Sequence, residues 1–352
     1  MIKLYGRYFS KLFLSCWFVT TLSFVTLLSV VDSINNVDAL PEDSGTMAAL
    51  WYIVLRLPSI FDRVFMLSLF ISLLLMYITL RRRNELVSFV AMGLSPFMQV
   101  KAFAPVVMLT TILSGIMIDQ ALPRTNSVLN NWLGSEALYD ADFGDGSSFW
   151  VVSSDAFVEI GSIKGNMLYD VKLYSRSADS QIEAFTTAKT ATYGDGSWHF
   201  DAPTTFQIKL PEREPIDSWT TRQTPETLQK LSDPPRNLAM HDLLVMSNLG
   251  TSGSRPVSAY LLWLVNRLMM PIQALAFVII VAPFMHKFGR QEKDGKRLMI
   301  GASFGFLFFI IDGVLKTIAE GGGLSISFAI GAPLALILFL GIYMHLDREN
   351  VS

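Results

Sequence analysis

The chain has 352 residues, of which 51% are hydrophobic and only 16% charged, a balance that excludes an ordinary soluble globule. Its net charge of −2 and pI near 6.1 leave no basic footprint for nucleic acid. The single cysteine, Cys16, excludes a disulfide within the chain.

The apolar excess is concentrated in runs close to the roughly 20 residues that span a bilayer. The first, Leu12 to Val31, follows Lys3, Arg7 and Lys11 and ends in Asp32, Ser33, Ile34, Asn35 and Asn36. It is too long for a signal-peptide core and lacks a small-residue cleavage pattern, so it reads as a retained helix. The second run, Ser59 to Leu80, is followed by Arg81, Arg82 and Arg83. Next comes a short amphipathic segment, about residues 84–93. Asn84 stands as its N-cap, Glu85 in its first turn, and Leu86, Phe89 and Val90 form an i, i+3, i+4 stripe before Gly93. From the residues alone, this fits an interfacial helix that closes a hairpin as well as a docking helix.

The third run, Met98 to Leu122, leads into the one long polar insertion, 123–255. Short stretches rich in β-branched and aromatic residues recur there: Phe149 to Val152, Ala156 to Ile160, Met167 to Tyr174, Ile182 to Tyr193, Ser197 to Phe200 and Thr204 to Leu210. They are punctuated by Gly144-Asp145-Gly146, Gly165-Asn166 and Gly194-Asp195-Gly196, which predicts antiparallel strands in a sandwich or jelly roll. Val171, Leu173 and Tyr169 are expected on one face, with Asp170, Lys172 and Tyr174 on the other. Thr224 to Gly250, with Pro225 just inside a helix start, reads as a helical return. Three further runs follow, Val257 to Met285, Leu298 to Ile318 and Ile326 to Leu346.

The fold class is therefore an α-helical membrane protein with six transmembrane helices arranged 3+3 and an inserted all-β, jelly-roll-like domain. Helices 1–3 occupy 1–122, the β domain 123–255, and helices 4–6 occupy 256–352. Basic residues cluster before the first run, after the second and between the fourth and fifth, whereas 32–58 is acidic apart from Arg56. By the positive-inside rule both termini are cytoplasmic and the β domain lies across the membrane.

Catalytic signatures are lacking. The segment Gly289 to Arg297 has one residue too many for a phosphate-binding loop and no preceding strand. His199, His241, His286 and His345 are scattered too widely for a metal site. Ser153, Ser154 and Asp155 read as a strand turn. No catalytic residue, metal or cofactor is expected.

The segment R-R-N-E-L-V-S-F-V-A-M-G-L-S, from Arg82 to Ser95, resembles the coupling-helix motif of the lipopolysaccharide export permeases, the LptF/LptG family. The resemblance covers nearly the whole chain: Tyr8-Phe9 and Val31-Asp32 in the first helix, Leu57-Pro58, Asp119 to Pro123, Phe149-Trp150, Gly196-Ser197-Trp198, Asn266-Arg267, and Gly301 to Asp312. Val31-Asp32, Phe149-Trp150 and Gly196-Ser197-Trp198 lean towards the LptG branch. The chain departs from the family's habit at Asn35-Asn36, where lysines are common, and at Asp62 to Met66, where the second helix usually carries a proline early in its span.

The resemblance implies one half of a heterodimer with a homologous, LptF-like permease in the bacterial inner membrane. ATP hydrolysis would fall to a cytoplasmic LptB-like ATPase dimer, which docks on Glu85 through an ionic contact and on Leu86, Phe89 and Val90 as groove fillers, with Gly93 as terminator. Lipopolysaccharide would pass from a membrane cavity to the β domain and on to LptC-like and LptA-like periplasmic jelly rolls. Arg63 and Arg267, charges within apolar runs, suit either lipid phosphates or snorkelling. Trp150, Val152, Phe157 and Ile160 suit either acyl chains or ordinary core packing. Asp312 and Lys316 form an i, i+4 pair able to neutralise itself. A non-transport scaffold would need no coupling helix, and a secondary transporter would need paired ionisable residues at the midplane and broken helices, for which the sequence offers only weak candidates.

Overall fold

The computed structural model describes residues 2–36, 45–93, 95–133, 148–153, 156–176, 182–207, 216–221, 223–248, 255–287 and 294–349. Among the described residues, six helices are long and apolar enough to cross a membrane. They are α1 (Ile2–Asn35), α2 (Gly45–Arg82), α4 (Pro96–Leu133), α7 (Val257–Lys287), α8 (Asp294–Glu320) and α9 (Ile326–Glu349). The short α3 (Glu85–Ala91) separates α2 from α4. The chain divides into two compact units. One holds Met1–Asn35, Arg56–Leu122 and Leu262–Ser352; the other holds Asn36–Leu55 and Pro123–Leu261.

Helices α2 and α4 outrun their apolar segments at the ends that belong to the second unit. Helix α2 begins at Gly45 instead of Ser59, so that Pro58 lies inside it. Helix α4 continues past Pro123 to Leu133. A proline removes one ladder hydrogen bond but does not forbid helix on both sides. The extensions have a packing reason: in the second unit Tyr52 and Leu55 of α2 bury themselves with Leu129, Trp132 and Leu133 of α4.

The core of the membrane unit is aromatic. Phe9 and Phe13 of α1, Phe65, Phe70 and Tyr77 of α2, Phe103 of α4 and Phe277 of α7 are all buried in one cluster. Ser68 and Ser72 are buried within this apolar stretch because each hydroxyl bonds its own helix, to the carbonyls of Phe65 and Leu69. Close approach is set by Gly305 of α8, where a Cβ would stand 2.1 Å from Phe70 Cε1.

The second unit holds a seven-stranded antiparallel sheet: β1 (Phe149–Val152), β2 (Ala156–Lys164), β3 (Met167–Arg176), β4 (Ile182–Gly194), β5 (Ser197–Asp201), β6 (Thr204–Gln207) and β7 (Ser218–Thr220). Its order is β1-β2-β3-β4-β5-β7, with β6 also on β4. The 13-residue β4 is long enough to pair β6 along Ala184–Thr187 and β5 along Thr190–Gly194. Helix α5 (Pro225–Ser232), capped by the Thr224 hydroxyl, packs on β2 with Leu228 and Leu231 buried. Helix α6 (Met240–Asn248) follows.

Alternation fails at one line across the sheet. Ile160 and Ile163, Leu168 and Val171, and Ala188 and Ala191 are buried, so in three adjacent strands the inner face skips two residues instead of one. The skip is centred on Gly161, Asp170 and Lys189, which face one another in register but are missing from the ladder pairs. Asp170 takes a φ of 50°, and its Cβ comes within 2.9 Å of where a Cβ on Gly161 would lie. Only glycine fits opposite it. Leu168 thereby takes the inner position expected of Tyr169.

Candidate functional site

Two left-handed residues bracket α3. Asn84 has a φ of 55° and Gly93 one of 81°. Asn84 stands at the N-cap position of α3, its carbonyl accepting from the Ser88 N–H, and it also closes α2 by donating its own N–H to the Arg81 carbonyl. Gly93 ends the segment in a conformation that glycine adopts without a Cβ penalty.

The faces of α3 differ from the sequence expectation. Leu86 and Phe89, expected to fill a partner's groove, are only 6% and 7% exposed and belong to the aromatic core of the membrane unit. Phe89 packs edge-on to Tyr5 at 5.4 Å and against Phe9 at 5.1 Å. The apolar stripe is present as the spacing predicts, but it is satisfied within the chain. Val87, Ser88 and Ala91 form the outward face, and the side chain of Val90 lies outside the described residues. Glu85, half-buried, accepts a 2.6 Å hydrogen bond from the Tyr8 hydroxyl, which in turn accepts from Arg83 at 3.2 Å.

Charges in the spanning helices are engaged. Arg267 of α7, 8% exposed, donates to Asp119 of α4 at 2.8 Å. Arg56 of α2 grips Asp32 of α1 through two nitrogens at 2.9 and 3.0 Å. Lys316 meets Asp312 at 2.6 Å within α8, as the spacing implies. Trp263 of α7 donates to Glu320 of α8 at 3.2 Å. Arg63 lies on an exposed side of α2. Asp119 enters the sequence reading only as part of a motif; its opposite sign to Arg267, both inside apolar runs, is the signal that pairs them.

On the sheet, the four expected lipid-sheltering residues fall on opposite faces. Ile160 is fully buried beneath the sheet with Val151 and Val158, because a one-residue step changes face. Trp150, Val152 and Phe157 stand on the other face, where the register aligns Val152, Phe157, Tyr174, Phe185 and Phe206 across five strands. The rings are in contact: Trp150 stacks on Tyr174 at 5.4 Å, Tyr174 meets Phe185 at 4.9 Å, and Phe185 stacks on Phe206 at 6.1 Å. Trp150 and Phe206 at its ends are 38% and 56% exposed.

Beside this row Glu159 accepts from Ser148 at 2.6 Å, Lys172 at 3.2 Å and Tyr174 at 3.4 Å. Burial alone would raise its carboxyl, but these donors together hold it below the usual range. Asp233, at the end of α5, accepts from Asn130 at 3.2 Å. Burial pushes its carboxyl up to about 7 against the opposing pull of Asn130 and Arg255. Among the described residues no group of three or more His, Cys, Asp or Glu gathers as metal ligands would.

Residues 7–346 match the family described as lipopolysaccharide export system permease LptF/LptG. The chain is 22% identical over 321 residues to the lipopolysaccharide export system permease protein LptG of Escherichia coli strain K12, covering 87% of this chain and 88% of that one. It is 20% identical over 362 residues to LptG of Haemophilus influenzae strain Rd, covering 99% and 100%.

Proposed function

The chain belongs to the LptF/LptG family of lipopolysaccharide export permeases, and from that membership we propose that it is one half of a heterodimeric inner-membrane permease driven by a separate ATPase. In this reading both termini and α3 are cytoplasmic and the sheet is periplasmic, in keeping with the placement of basic residues. The observation that carries it is α3: a short helix between two spans, its inner face anchored by Leu86 and Phe89 and its outer face left to Val87, Ser88 and Ala91.

The ATPase dimer docks on that outer face, with Glu85 at its rim as the ionic contact, Val90 adding to the helix and Gly93 ending it. Leu86 and Phe89 serve docking indirectly, by fixing the helix to the membrane core. ATP-driven movement of α3 closes a lipid cavity shared with the homologous permease. Arg63 and Arg267 meet the lipid's phosphates, for which Arg267 exchanges Asp119. The lipid's acyl chains then move along the aromatic row of Trp150, Val152 and Phe157, with Ile160 supporting it from beneath. The outer edge of β1, which pairs only β2 among the described strands, receives the next β domain, of LptC or LptA type, by strand addition.

The test is a reconstituted complex of both permeases and the ATPase. Glu85→Ala is expected to weaken ATPase capture about tenfold, the loss of one charged hydrogen bond, with membrane insertion intact. A photocrosslinker at Phe157 is expected to label lipopolysaccharide only during ATP hydrolysis. A folded, hydrolysing complex that remained unlabelled at Trp150, Val152 and Phe157 would exclude the sheet as the route.

A further inference from the structure

We infer that Tyr8 is a positioning residue that makes α1 and the docking helix α3 one mechanical body, so that force from the ATPase reaches α1 directly. The inference rests on the proposed docking of an ATPase at Glu85.

Five contacts, made by Tyr5, Tyr8 and Phe9, join α1 to α3 and the residues that flank it. The Tyr8 hydroxyl donates to Glu85 Oε2 at 2.6 Å and accepts from Arg83 Nη1 at 3.2 Å, so one phenol fixes both the carboxylate and the arginine at the start of α3. One turn on, Phe89 is held between the rings of Tyr5 and Phe9. At the far end the Tyr5 hydroxyl donates to Met92 Sδ at 3.4 Å. The first and last turns of α3 are therefore tied to α1, although α3 is continuous in sequence with α2 and α4.

Beyond Tyr8, one side of α1 packs on α2: Phe13 is buried, Trp17 meets Phe65 edge-on at 6.3 Å, and the Thr21 hydroxyl donates to Ser68 Oγ at 2.9 Å; the other side faces outward. Only 17% of its apolar window is buried, against 67% for α2 and 61% for α7, and Phe18, Leu22, Leu27 and Val30 are exposed along it. Near its C-terminal end it is tied to α2 by the two-nitrogen grip of Arg56 on Asp32. A helix held to α2 on one side, outward-facing on the other and attached to the docking helix near its N-terminus takes up movement of α3 at Tyr8.

Tyr8→Phe removes one hydroxyl and leaves the ring packing. In the purified complex it is expected to retain ATPase stoichiometry while lowering lipid released per ATP several-fold, and to add nothing in a Glu85→Gln background. Wild-type release per ATP, or full additivity with Glu85→Gln, would overturn the inference. If Glu85→Gln itself left ATPase capture and hydrolysis untouched, the docking reading would fail instead. A second measurement does not depend on the hydroxyl. In a Cys16→Ser background, Tyr5→Cys and Met92→Cys bridged by a short thiol crosslinker should export lipid at the unbridged rate, because the bridged elements move together. Arrest of export on bridging would show that α1 and α3 must separate, and would refute the inference.

Discussion

Asp119 and Arg267 are each a charge that an apolar span would reject alone, and each is tolerated because of the other. Removing one partner strands the second, so Asp119→Ala is expected to cost about 3–5 kcal/mol. The exchanged pair Asp119→Arg with Arg267→Asp should recover part of that loss, both read as melting temperature of the purified protein. Asp233 makes a prediction in pH. Its folded carboxyl titrates near 7, above an unfolded carboxyl near 4, so the folded state binds its proton more tightly and stability falls as pH rises between those values. Glu159, held low, acts the other way and only below the ordinary carboxylate range. Between about pH 4.5 and 7 Asp233 therefore governs. The protection free energy of sheet amides, taken after correction of exchange for its intrinsic base catalysis, is expected to be larger at pH 5 than at pH 8 by on the order of 2 kcal/mol, and Asp233→Asn should flatten the difference.

At the scale of elements, the packing of α8 turns on Gly305. Phe70 is wedged between Phe277 and Phe309, at ring distances of 5.2 and 6.4 Å, and cannot swing aside for a methyl group at Gly305. Gly305→Ala is expected to lower stability by about 1–3 kcal/mol. Gly313→Ala, on the same helix with open space around it, should leave the melting temperature unchanged or raised. The elements themselves are largely legible in the sequence: apolar runs of spanning length read as helices, and glycine-punctuated β-branched runs as strands. Helix bounds at Gly45 and Leu133 are not, because their extensions are held by Tyr52, Leu129 and Trp132 from distant parts of the chain, a contact that local pattern does not carry. Of the sites, Glu85 and Gly93 stand out in sequence. The inward turn of Leu86 and Phe89 does not, because an amphipathic stripe looks the same whether it meets its own chain or another's.

For the whole molecule, the distribution of basic residues implies an orientation that labelling can check. In a Cys16→Ser background, a membrane-impermeant maleimide should reach Ser218→Cys of β7 once the outer membrane is opened. Ser88→Cys of α3 should react only after the inner membrane is opened as well. The reverse pattern would overturn the proposed orientation. Legibility differs with scale too: the count and order of spans follow from hydropathy alone, whereas the split of Trp150, Val152 and Phe157 from Ile160 needs the register of β1 on β2.

The crease through Gly161, Asp170 and Lys189 restricts how the chain length of this sheet can vary. An extra residue in any one strand would put its inner set out of phase with both neighbours, since a single step exchanges the two faces. A compensating change would have to occur in β2, β3 and β4 together. Insertions and deletions are thereby kept out of these strands and left to the connections between them, such as the hairpin tips at Gly165-Asn166 and Asp195-Gly196, where positive φ at Gly165, Asp195 and Gly196 marks turns outside the ladder.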